Sequence, residues 1–547
     1  MRALLVYPRF PKSFWSFDKT LELIGRKAPQ PPLGLVTVAA ILPDEWEFRL
    51  VDRNVSDATE EDWEWAEIVL LSGMIAQKED FRAAIKEAKR RGKPVAVGGP
   101  YATSLPGELE EAGADFLVLD EGEITIPMFC EALERGETGG VFRSNGVMPD
   151  VTITPIPRFE LLDLSAYSEM SVQFSRGCPF LCEFCDIIIL YGRRPRTKTP
   201  AQLLAELDRL YELGWRRSVF IVDDNFIGNK KSAKGLLREL EPWMEEKQNP
   251  FTFFTEASVD LAKDQELMDM MTACRFGSVF LGIETPDEDS LALTRKHQNI
   301  RDPLGESIDR IASSGLRIMA GFIIGFDGEA KGAGERIVQF VEDHSIPTAT
   351  YSMLQALPGT ALTKRLEKEG RFTGSTGDIN QTTLMNFVPT RPLEEIADEY
   401  MRGFWSLYDP QKFLDRAYRH YRVIGEAKCH KARKKGKTAR KPIGWREIRA
   451  LFVILFRQGV VRKTRYSFWP HLWRMFRHNR GGVPSYLGLC GHYEHFFDYR
   501  QRVNEEIGAQ LEAWLAQQRD RDYMIPGVAK PPPERNSAVR KPRRETA

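Results

Sequence analysis

Residues 1–150 alternate short apolar runs with amphipathic stretches of helical length. The stretch Asp80–Arg91 is a good amphipathic helix and is followed by Gly92, a common helix stop. Because strand-length and helix-length segments alternate, the pattern predicts an α/β, doubly wound parallel sheet of Rossmann-like type. The predicted strands are Ala3–Tyr7, Arg49–Asp52, Ile68–Ser72, Val95–Gly98 and Phe116–Leu119.

A linker at 151–170, which begins with the Pro-rich Val151–Pro157, leads to a second strand–helix series over residues 171–365. Helix-length sequence, such as Ala201–Leu213 and Asp287–Arg295, separates its strands. Six units are fewer than the eight of a closed barrel, so a partial barrel is expected. The predicted strands are Ser171–Ser175, Ser218–Val222, Phe251–Thr255, Ser278–Gly282, Arg317–Phe326 and Thr348–Leu354.

The remaining sequence predicts a mostly helical domain over 366–523, with Arg446–Phe456 as its clearest amphipathic helix, and a disordered tail over 524–547. Residues 422–480 hold 18 Lys/Arg against two acids in a chain of zero net charge. Their aromatic neighbours favour a cap over the barrel mouth with peripheral membrane contact. Nucleic-acid binding would use similar residues, but we expect no such partner.

The seven cysteines form no disulfide framework, and the chain opens without a signal-peptide pattern. No apolar stretch has membrane-spanning length. These features predict a cytoplasmic protein, with any membrane contact on the inner face.

Three of the cysteines, Cys178, Cys182 and Cys185, fall within a single tight loop. This spacing offers three thiolates to a [4Fe–4S] cluster and leaves one iron open to a small chelating ligand. A zinc site would normally need a fourth ligand, but the next cysteine is Cys274 and the first histidine is His297. The ligand count therefore favours a cluster over zinc.

The string from Arg176 to Asp186, including the aromatic Phe184, closely resembles the cluster loop of the radical S-adenosylmethionine (SAM) enzymes. With the Rossmann-like first domain, the chain resembles the cobalamin-binding radical SAM family over roughly residues 1–420. The string Tyr191–Lys198 is most similar to the hopanoid C-2 methylase group. This resemblance implies a [4Fe–4S] cluster, SAM and cobalamin as cofactors, and a partial (β/α)6 barrel.

The resemblance also implies a cobalamin site at the strand ends of the first domain. Its candidate residues are Pro8, Pro32, Leu33, Gly34, Ser72, Gly73, Gly98, Gly99, Pro100, Glu121, Gly122 and Glu123. The Asp-x-His-x2-Gly motif of many cobalamin domains is absent, because the first 296 residues contain no histidine. Cobalamin would therefore bind without a protein histidine ligand; the competing interpretation is a vestigial domain that binds none.

Within the barrel, the resemblance assigns the three cysteines and Tyr191 to the catalytic centre, and Phe184 and several strand-end residues to SAM. Asp223, Asp224 and Asn225 would reach the SAM amino group, or alternatively cap a helix. Glu256 and Glu284 would bind the ribose hydroxyls, or form salt bridges with arginines. Gly325 would admit the adenine, or relieve barrel packing.

The expected function is a cobalamin-dependent radical SAM methyltransferase that methylates an unactivated carbon, in a hopanoid or another isoprenoid lipid. In the reaction that the resemblance implies, a deoxyadenosyl radical removes hydrogen and cobalamin carries the methyl group. An electron donor such as flavodoxin or ferredoxin is then needed. The alternatives are a cobalamin-independent radical SAM enzyme that forms, cyclises or rearranges C–C bonds in a hydrophobic substrate, and a non-catalytic iron–sulfur sensor or polyanion-binding protein.

Overall fold

A computed structural model describes residues 1–300, 302–374, 380–427 and 444–523. Its first sheet has six strands, all parallel, in the order β2-β1-β3-β4-β5-β6. The pattern predicted five of these strands and missed the short, half-exposed β6. The strands are β1 (Arg2–Tyr7), β2 (Glu47–Asp52), β3 (Ile68–Ser72), β4 (Val95–Gly98), β5 (Phe116–Val118) and β6 (Gly140–Phe142).

Helices cover both faces of this sheet, as in a doubly wound fold. One apolar core joins the sheet to α4 through Phe81 and Ile85, and the other joins it to α7 through Phe129. This arrangement confirms the fold class predicted for the first domain. The helices are α1 (Asp18–Ile24), α2 (Leu33–Ile41), α3 (Glu60–Trp65), α4 (Lys78–Arg90), α5 (Gly99–Ser104), α6 (Pro106–Glu111) and α7 (Gly122–Glu134).

The second sheet is also parallel and six-stranded, in the order β14-β13-β12-β11-β10-β7, so β7 and β14 are its edge strands in the described part of the chain and the barrel is partial. A short antiparallel ribbon, β8 with β9, follows β7. β7 ends earlier than predicted because the chain turns out of the sheet into this ribbon. The strands are β7 (Met170–Val172), β8 (Ser175–Arg176), β9 (Arg196–Thr197), β10 (Ser218–Ile221), β11 (Thr252–Ala257), β12 (Phe276–Glu284), β13 (Arg317–Ile324) and β14 (Thr348–Met353).

Amphipathic helices alternate with these strands and bury one face against them. For example, α9 begins with a capping box at Thr199 and buries Leu203, Leu207 and Leu210. The helices are α8 (Ile187–Leu190), α9 (Pro200–Glu212), α10 (Lys230–Glu246), α11 (Gln265–Ala273), α12 (Glu288–Leu293), α13 (Leu304–Ser314), α14 (Ala333–Asp343) and α15 (Ala361–Lys368).

The carboxy-terminal part is helical, as predicted. α17 packs against α13 of the barrel, and α1 of the first domain packs against α18 and α20. The predicted disordered tail, 524–547, and residues 428–443 of the basic region lie outside the described residues. The helices are α16 (Leu393–Leu407), α17 (Pro410–Glu426), α18 (Trp445–Phe456), α19 (Arg465–His478) and α20 (Val483–Tyr523). Within the described ranges, no helix is both long and apolar enough to cross a membrane.

Candidate functional site

The cysteine loop occupies residues 177–195 and is closed by the β8/β9 ribbon at the carboxyl end of β7. Gly177 enters the loop with φ of +92°, and a Cβ there would lie 2.8 Å from the carbonyl oxygens of Tyr191 and Gly192. The Cys178 amide donates to the Gly192 carbonyl at 3.2 Å. Glycine is therefore required where the two ends of the loop meet.

The three thiols are partly buried, and amide groups of the barrel approach two of them. Asn225 Nδ2 lies 4.0 Å from Cys178 Sγ, and Gln298 Nε2 lies 3.6 Å from Cys182 Sγ. Burial raises the pKa of the Cys178 and Cys185 thiols, so a positively charged metal group is what would hold them as thiolates.

These thiols fit a cluster better than a single metal ion. Among the described residues, no three His, Cys, Asp or Glu side chains converge on one ion position. In a [4Fe–4S] cluster each thiolate binds a different iron, and hydrogen bonds to the sulfurs tune the reduction potential. Three cysteines on one loop, with amide donors beside two of them, match these requirements.

The barrel fastens the outer side of the loop through Glu183. Its amide donates to the Thr294 carbonyl at 3.2 Å, its carbonyl accepts from the Leu362 amide at 2.9 Å, and its carboxylate accepts from Arg365 at 2.7 Å. Phe184 packs against Phe326, with ring centroids 5.9 Å apart. The loop is thus held from the segments that follow β12, β13 and β14.

The three residues after β10 divide into different roles. Asp223 is fully buried, and its oxygens accept from the Phe174 amide at 2.8 Å and the Ser175 hydroxyl at 2.6 Å, so it holds the ribbon. Asp224 accepts one long hydrogen bond, 3.4 Å, from the Gly177 amide. Burial, with the charge of Asp223 beside it, raises the pKa of Asp224 to about 7. Asp224 and Asn225 therefore face the cluster loop, while Asp223 supports it.

Glu256, on β11, points into a large cavity, and no donor among the described residues reaches its carboxylate. Burial, followed by the nearby charges of Asp224, Asp223 and Glu284, raises the pKa of Glu256 to about 8. Such a carboxyl group is neutral at pH 7 and can donate as well as accept a hydrogen bond. The alternative interpretation, a salt bridge with an arginine, is not formed among the residues that the structure describes.

Glu284, in contrast, is paired. At the end of β12, with φ of +67°, it forms a buried ion pair with Lys296, whose ammonium also lies 5.8 Å from the centre of the Phe184 ring. Burial alone would lower the pKa of Lys296, but Glu284 and the cysteines outweigh this and raise it. The alternative interpretation of a salt bridge fits Glu284, with lysine in place of arginine.

Two further predicted residues have packing roles in this structure. Gly325 has φ of +98°, and a Cβ there would lie 2.8 Å from the Met385 side chain, so packing is the role seen for this glycine. Tyr191 is largely buried within the cysteine loop, and its carbonyl accepts from Arg196 at 3.0 Å. Burial and the charge of Asp224 raise the pKa of its phenol, which therefore remains protonated.

Glu121 and Glu123, predicted as cobalamin contacts, bind arginines of the ribbon in this structure. Arg176 donates to Glu121 at 2.7 Å and to Glu123 at 2.8 Å, and Arg196 donates to Glu121 at 2.6 Å. Both glutamate side chains are only 3% exposed. These four residues, named here the interdomain clamp, tie the first domain directly to the cysteine loop.

The other predicted cobalamin residues lie at the carboxyl edge of the first sheet or begin its helices, as expected. Two of the glycines are needed for close packing: a Cβ on Gly98 would lie 2.8 Å from the Val118 carbonyl, and one on Gly99 would overlap the Ser72 hydroxyl. Gly34 faces open space. Pro8, Pro32, Leu33, Gly73, Pro100 and Gly122 complete this group at the ends of β1, β3 and β4 and the starts of α2, α5 and α7.

Beside this edge lies a cavity of about 1790 Å³. Tyr7, Phe10 and Met74 line it from the first sheet, next to the predicted residues. The interior of the barrel and the carboxy-terminal helices form its other walls. Its size and position suit a large planar cofactor together with a substrate. Two histidines line the cavity within the described part of the chain, His478 of α19 and His492 of α20, and both belong to the carboxy-terminal helices.

Sequence reasoning missed the residues that reach this centre from distant segments. Lys296 and Gln298 follow a predicted helix and carry no motif of their own. Arg176 and Arg196 stood beside the motif, but their partners lie in another domain. His492 belongs to a segment that the sequence predicted only as part of a mostly helical domain. A buried charge requires a partner, but nothing in the sequence identifies that partner.

Family models match the chain in three places: the B12 binding domain at residues 23–129, the radical SAM superfamily at 172–341, and a domain of unknown function, DUF4070, at 360–509. Among curated proteins, an uncharacterized methyltransferase of Synechocystis sp. is 62% identical, with 95% of this chain and 96% of that protein covered. The hopanoid C-2 methylase of Rhodopseudomonas palustris is 38% identical, with 76% and 78% covered.

Solved structures show the same fold. The cobalamin-dependent SAM radical enzyme OxsB, with aqua-cobalamin and SAM bound, covers 94% of this chain and 83% of its own, with a TM-score of 0.57 and 14% identity. The radical SAM methyltransferase TsrM of Kitasatospora setae, with cobalamin and a [4Fe–4S] cluster bound, covers 74% and 85%, with a TM-score of 0.55 and 18% identity.

A Rossmann-like domain, a cysteine loop on a partial barrel and the shared cavity between them define a radical SAM enzyme with a cobalamin domain. The chain belongs to the cobalamin-binding radical SAM family of methyltransferases. Its cofactors are a [4Fe–4S] cluster, SAM and cobalamin, and it requires a reductant. The predictions of family, fold class, enzyme class and cofactors are therefore confirmed.

Proposed function

We propose that this enzyme methylates an unactivated carbon of a hopanoid or another isoprenoid lipid. The observation that carries this proposal is the aromatic cavity inside the barrel. Phe220 and Phe254 stack there with ring centroids 4.2 Å apart and planes 6° from parallel, and Phe280 lies beside them. Such a flat apolar wall suits a rigid hydrocarbon better than a charged metabolite. The 38% identical hopanoid C-2 methylase supports the same substrate class.

The residues of the chain would divide the work as follows. Cys178, Cys182 and Cys185 would hold the cluster, which supplies the electron that cleaves SAM. Asp224 and Glu256 offer acceptors to the SAM amino and ribose groups. The edge of the first sheet, around Tyr7 and the candidate residues beside it, would hold cobalamin as the methyl carrier. The apolar walls exclude water from the radical reaction.

We infer a peripheral membrane contact through an aromatic–basic patch on α18 and α19. Its aromatic side chains are unusually exposed: Trp445 at 78%, Phe452 at 71% and Trp473 at 58%. Exposed aromatic groups that alternate with arginines favour the interface of a membrane with anionic lipids. α19 ends at His478, which lines the cavity. A lipid could therefore pass from the patch to the cavity along one helix.

The reductant is proposed to be a small electron carrier such as flavodoxin or ferredoxin. An acidic carrier would be steered by the arginines of the aromatic–basic patch. Salt should then slow reduction of the cluster, since screening weakens such steering.

The function is tested with the protein purified without oxygen and reconstituted with iron, sulfide and cobalamin. The enzyme is incubated with SAM, a reductant and hopanoid extracts, and products are searched for a mass gain of one CH2 unit. A Cys182→Ala variant, which should lose the cluster, is the control. SAM cleavage with transfer to a non-lipid compound in a mixed metabolite extract would overturn the lipid assignment. Transfer that persists without cobalamin would favour a cobalamin-independent reaction.

The membrane contact is tested by flotation with vesicles that contain anionic lipids. Replacing Phe452 and Trp473 by alanine should abolish flotation. The matched control is Ile153→Ala, which removes a side chain of 63% exposure outside the patch. Equal flotation of both variants would refute the contact.

A further inference from the structure

The cavity continues past the aromatic wall to the amino-terminal end of the barrel, where Arg317 begins β13. From Arg317 to Gly325 the strand runs roughly 25 Å toward the cluster end. The register places Ser278 beside Arg317, and places Phe280, Met319 and Glu256 one layer closer to the cluster. Arg317 therefore lies below the apolar wall, away from the reacting end of the cavity.

Arg317 is a partly buried cation whose hydrogen-bonding capacity is largely unused. Its Nε is inaccessible to solvent and has no hydrogen-bond partner among the described residues, and its Nη2 makes only a long contact, 3.4 Å, to the Ser278 hydroxyl and another, 3.8 Å, to Met319 Sδ. No carboxylate of the described residues lies within ion-pair distance of it. A buried guanidinium N–H without a hydrogen-bond acceptor is costly, and a ligand in the cavity could supply that acceptor.

The other polar groups at this end are also incompletely used. The Tyr421 hydroxyl, on α17, is buried and has no hydrogen-bond partner within the described ranges, and Tyr421 lines the same cavity. Glu169 lines the cavity too, where its carboxylate accepts a hydrogen bond from Gln30 Nε2 at 2.9 Å. Burial raises the pKa of Glu169, and the positive charge of Arg317 acts to lower it. A cationic donor, a hydroxyl and a carboxyl acceptor thus line this part of the cavity.

We propose that this part of the cavity is a second subsite, built on Arg317, Tyr421 and Glu169, that binds the hydroxylated end of an elongated amphiphilic substrate. Hydroxyl groups both donate and accept, so they can satisfy Arg317 and Glu169 at once. An anionic group would be attracted by Arg317 but repelled by the Glu169 carboxylate. The apolar body of the substrate then lies along Phe220, Phe254 and Phe280. This inference rests on the proposed function and specifies its substrate further: a lipid with hydroxyl groups far from the methylated carbon.

The test compares two hopanoids with the same ring system, one with a hydroxylated side chain and one a pure hydrocarbon. Their dissociation constants are measured in detergent micelles with the enzyme loaded with cluster and cobalamin. The wild type should bind the hydroxylated probe about tenfold or more tightly, the ratio expected from hydrogen bonds to a charged group. Arg317→Met should remove this preference by weakening only the hydroxylated probe, and Arg317→Lys should restore part of it.

The matched control is Arg310→Met, which removes an exposed arginine of α13 whose one hydrogen bond within the described ranges is to the Ala262 carbonyl. It should bind both probes as the wild type does. A preference that survives in Arg317→Met would overturn the subsite, as would a wild type with no preference. Loss of cobalamin from Arg317→Met would also overturn it, because Arg317 would then serve the cofactor. If the wild type shows the preference but methylates neither probe, the subsite stands and the proposed methylation of such lipids fails.

Discussion

Breaking the interdomain clamp should destabilise both the domain contact and the cluster loop. Replacing Glu121 by glutamine removes the carboxylate that Arg196 contacts at 2.6 Å, with the two side chains 3% and 17% exposed. Removal of one partner from a buried ion pair costs about 3–5 kcal/mol. Because the introduced amide would still accept one hydrogen bond, and Glu123 would still hold Arg176, we expect a loss at the lower end of that range, about 3 kcal/mol in the free energy of unfolding.

The loss should be visible in two signals at once. Arg196 also donates to the Tyr191 carbonyl at 3.0 Å and to the Pro149 carbonyl at 2.8 Å, so a loosened Arg196 frees the far end of the cysteine loop. Urea titration of the reconstituted enzyme, followed by cluster absorbance and tryptophan fluorescence, should show both transitions at about 1 M lower urea, for a denaturant slope of about 3 kcal/mol/M.

A matched control distinguishes burial from charge removal. Glu131→Gln breaks an exposed pair with Arg135, 3.9 Å apart and 70% and 58% exposed, and such a pair is worth about 0–1 kcal/mol. If Glu121→Gln shifts the midpoint no more than Glu131→Gln does, the clamp does not stabilise the domain contact and the reasoning is refuted. If the urea midpoint shifts in tryptophan fluorescence but not in cluster absorbance, the clamp stabilises the domain contact and is not needed to retain the cluster.

Three further predictions concern the site. Gly177→Ala should abolish cluster retention, measured as iron per chain, because the new Cβ would lie 2.8 Å from two carbonyl oxygens. The control Gly214→Ala, at φ of +87° with open space around it, should lower the free energy of unfolding by only about 1 kcal/mol. The pKa of Glu256 is about 8 in the folded protein, above its usual value of 4.5, so the wild type loses free energy of unfolding as the pH rises from 4.5 to about 8. Glu256→Gln should therefore be as stable as the wild type near pH 4 and increasingly more stable than it up to about pH 8. A urea midpoint whose pH profile is the same in both proteins would contradict this. Lys296→Met should leave the Glu284 carboxylate buried alone and cost about 3–5 kcal/mol, which Lys296→Met with Glu284→Gln should largely recover.

The fold followed from the sequence because its signals are local. Apolar runs at buried strands such as Ile68–Ser72 and Val95–Gly98 were found with the same bounds as in the structure, since both faces of a central parallel strand are covered. The edge strand β6 was missed because Gly140–Phe142 is short and half-exposed. The early end of β7 at Val172 depends on the ribbon, which a single-strand pattern cannot reveal.

The site followed only in part, because its partners are distant in sequence. The cysteine spacing identified the cluster loop by itself. The strand-end motif with Glu121 and Glu123 suggested a ligand site, since such ends bind ligands in open sheets. Its actual contacts are arginines more than 50 residues away, at the barrel. The sequence allowed us to predict that these carboxylates are buried, but not whether they bind a ligand or a side chain of the protein.

The structure separates the acidic candidates by whether their partners are already present. Asp223 and Glu284 are satisfied by the Ser175 hydroxyl and by Lys296, so each supports the loop or the barrel. Burial also raises the pKa of Asp223, to about 6, but Asp224 and Glu256, with pKa values of about 7 and 8, have few or no donors among the described residues, which is the condition of groups that await a ligand. Ligand affinity should therefore depend on the second pair and folding on the first. A buried carboxylate without a hydrogen-bond partner is energetically unfavourable, and a bound ligand that donates hydrogen bonds to it offsets this cost.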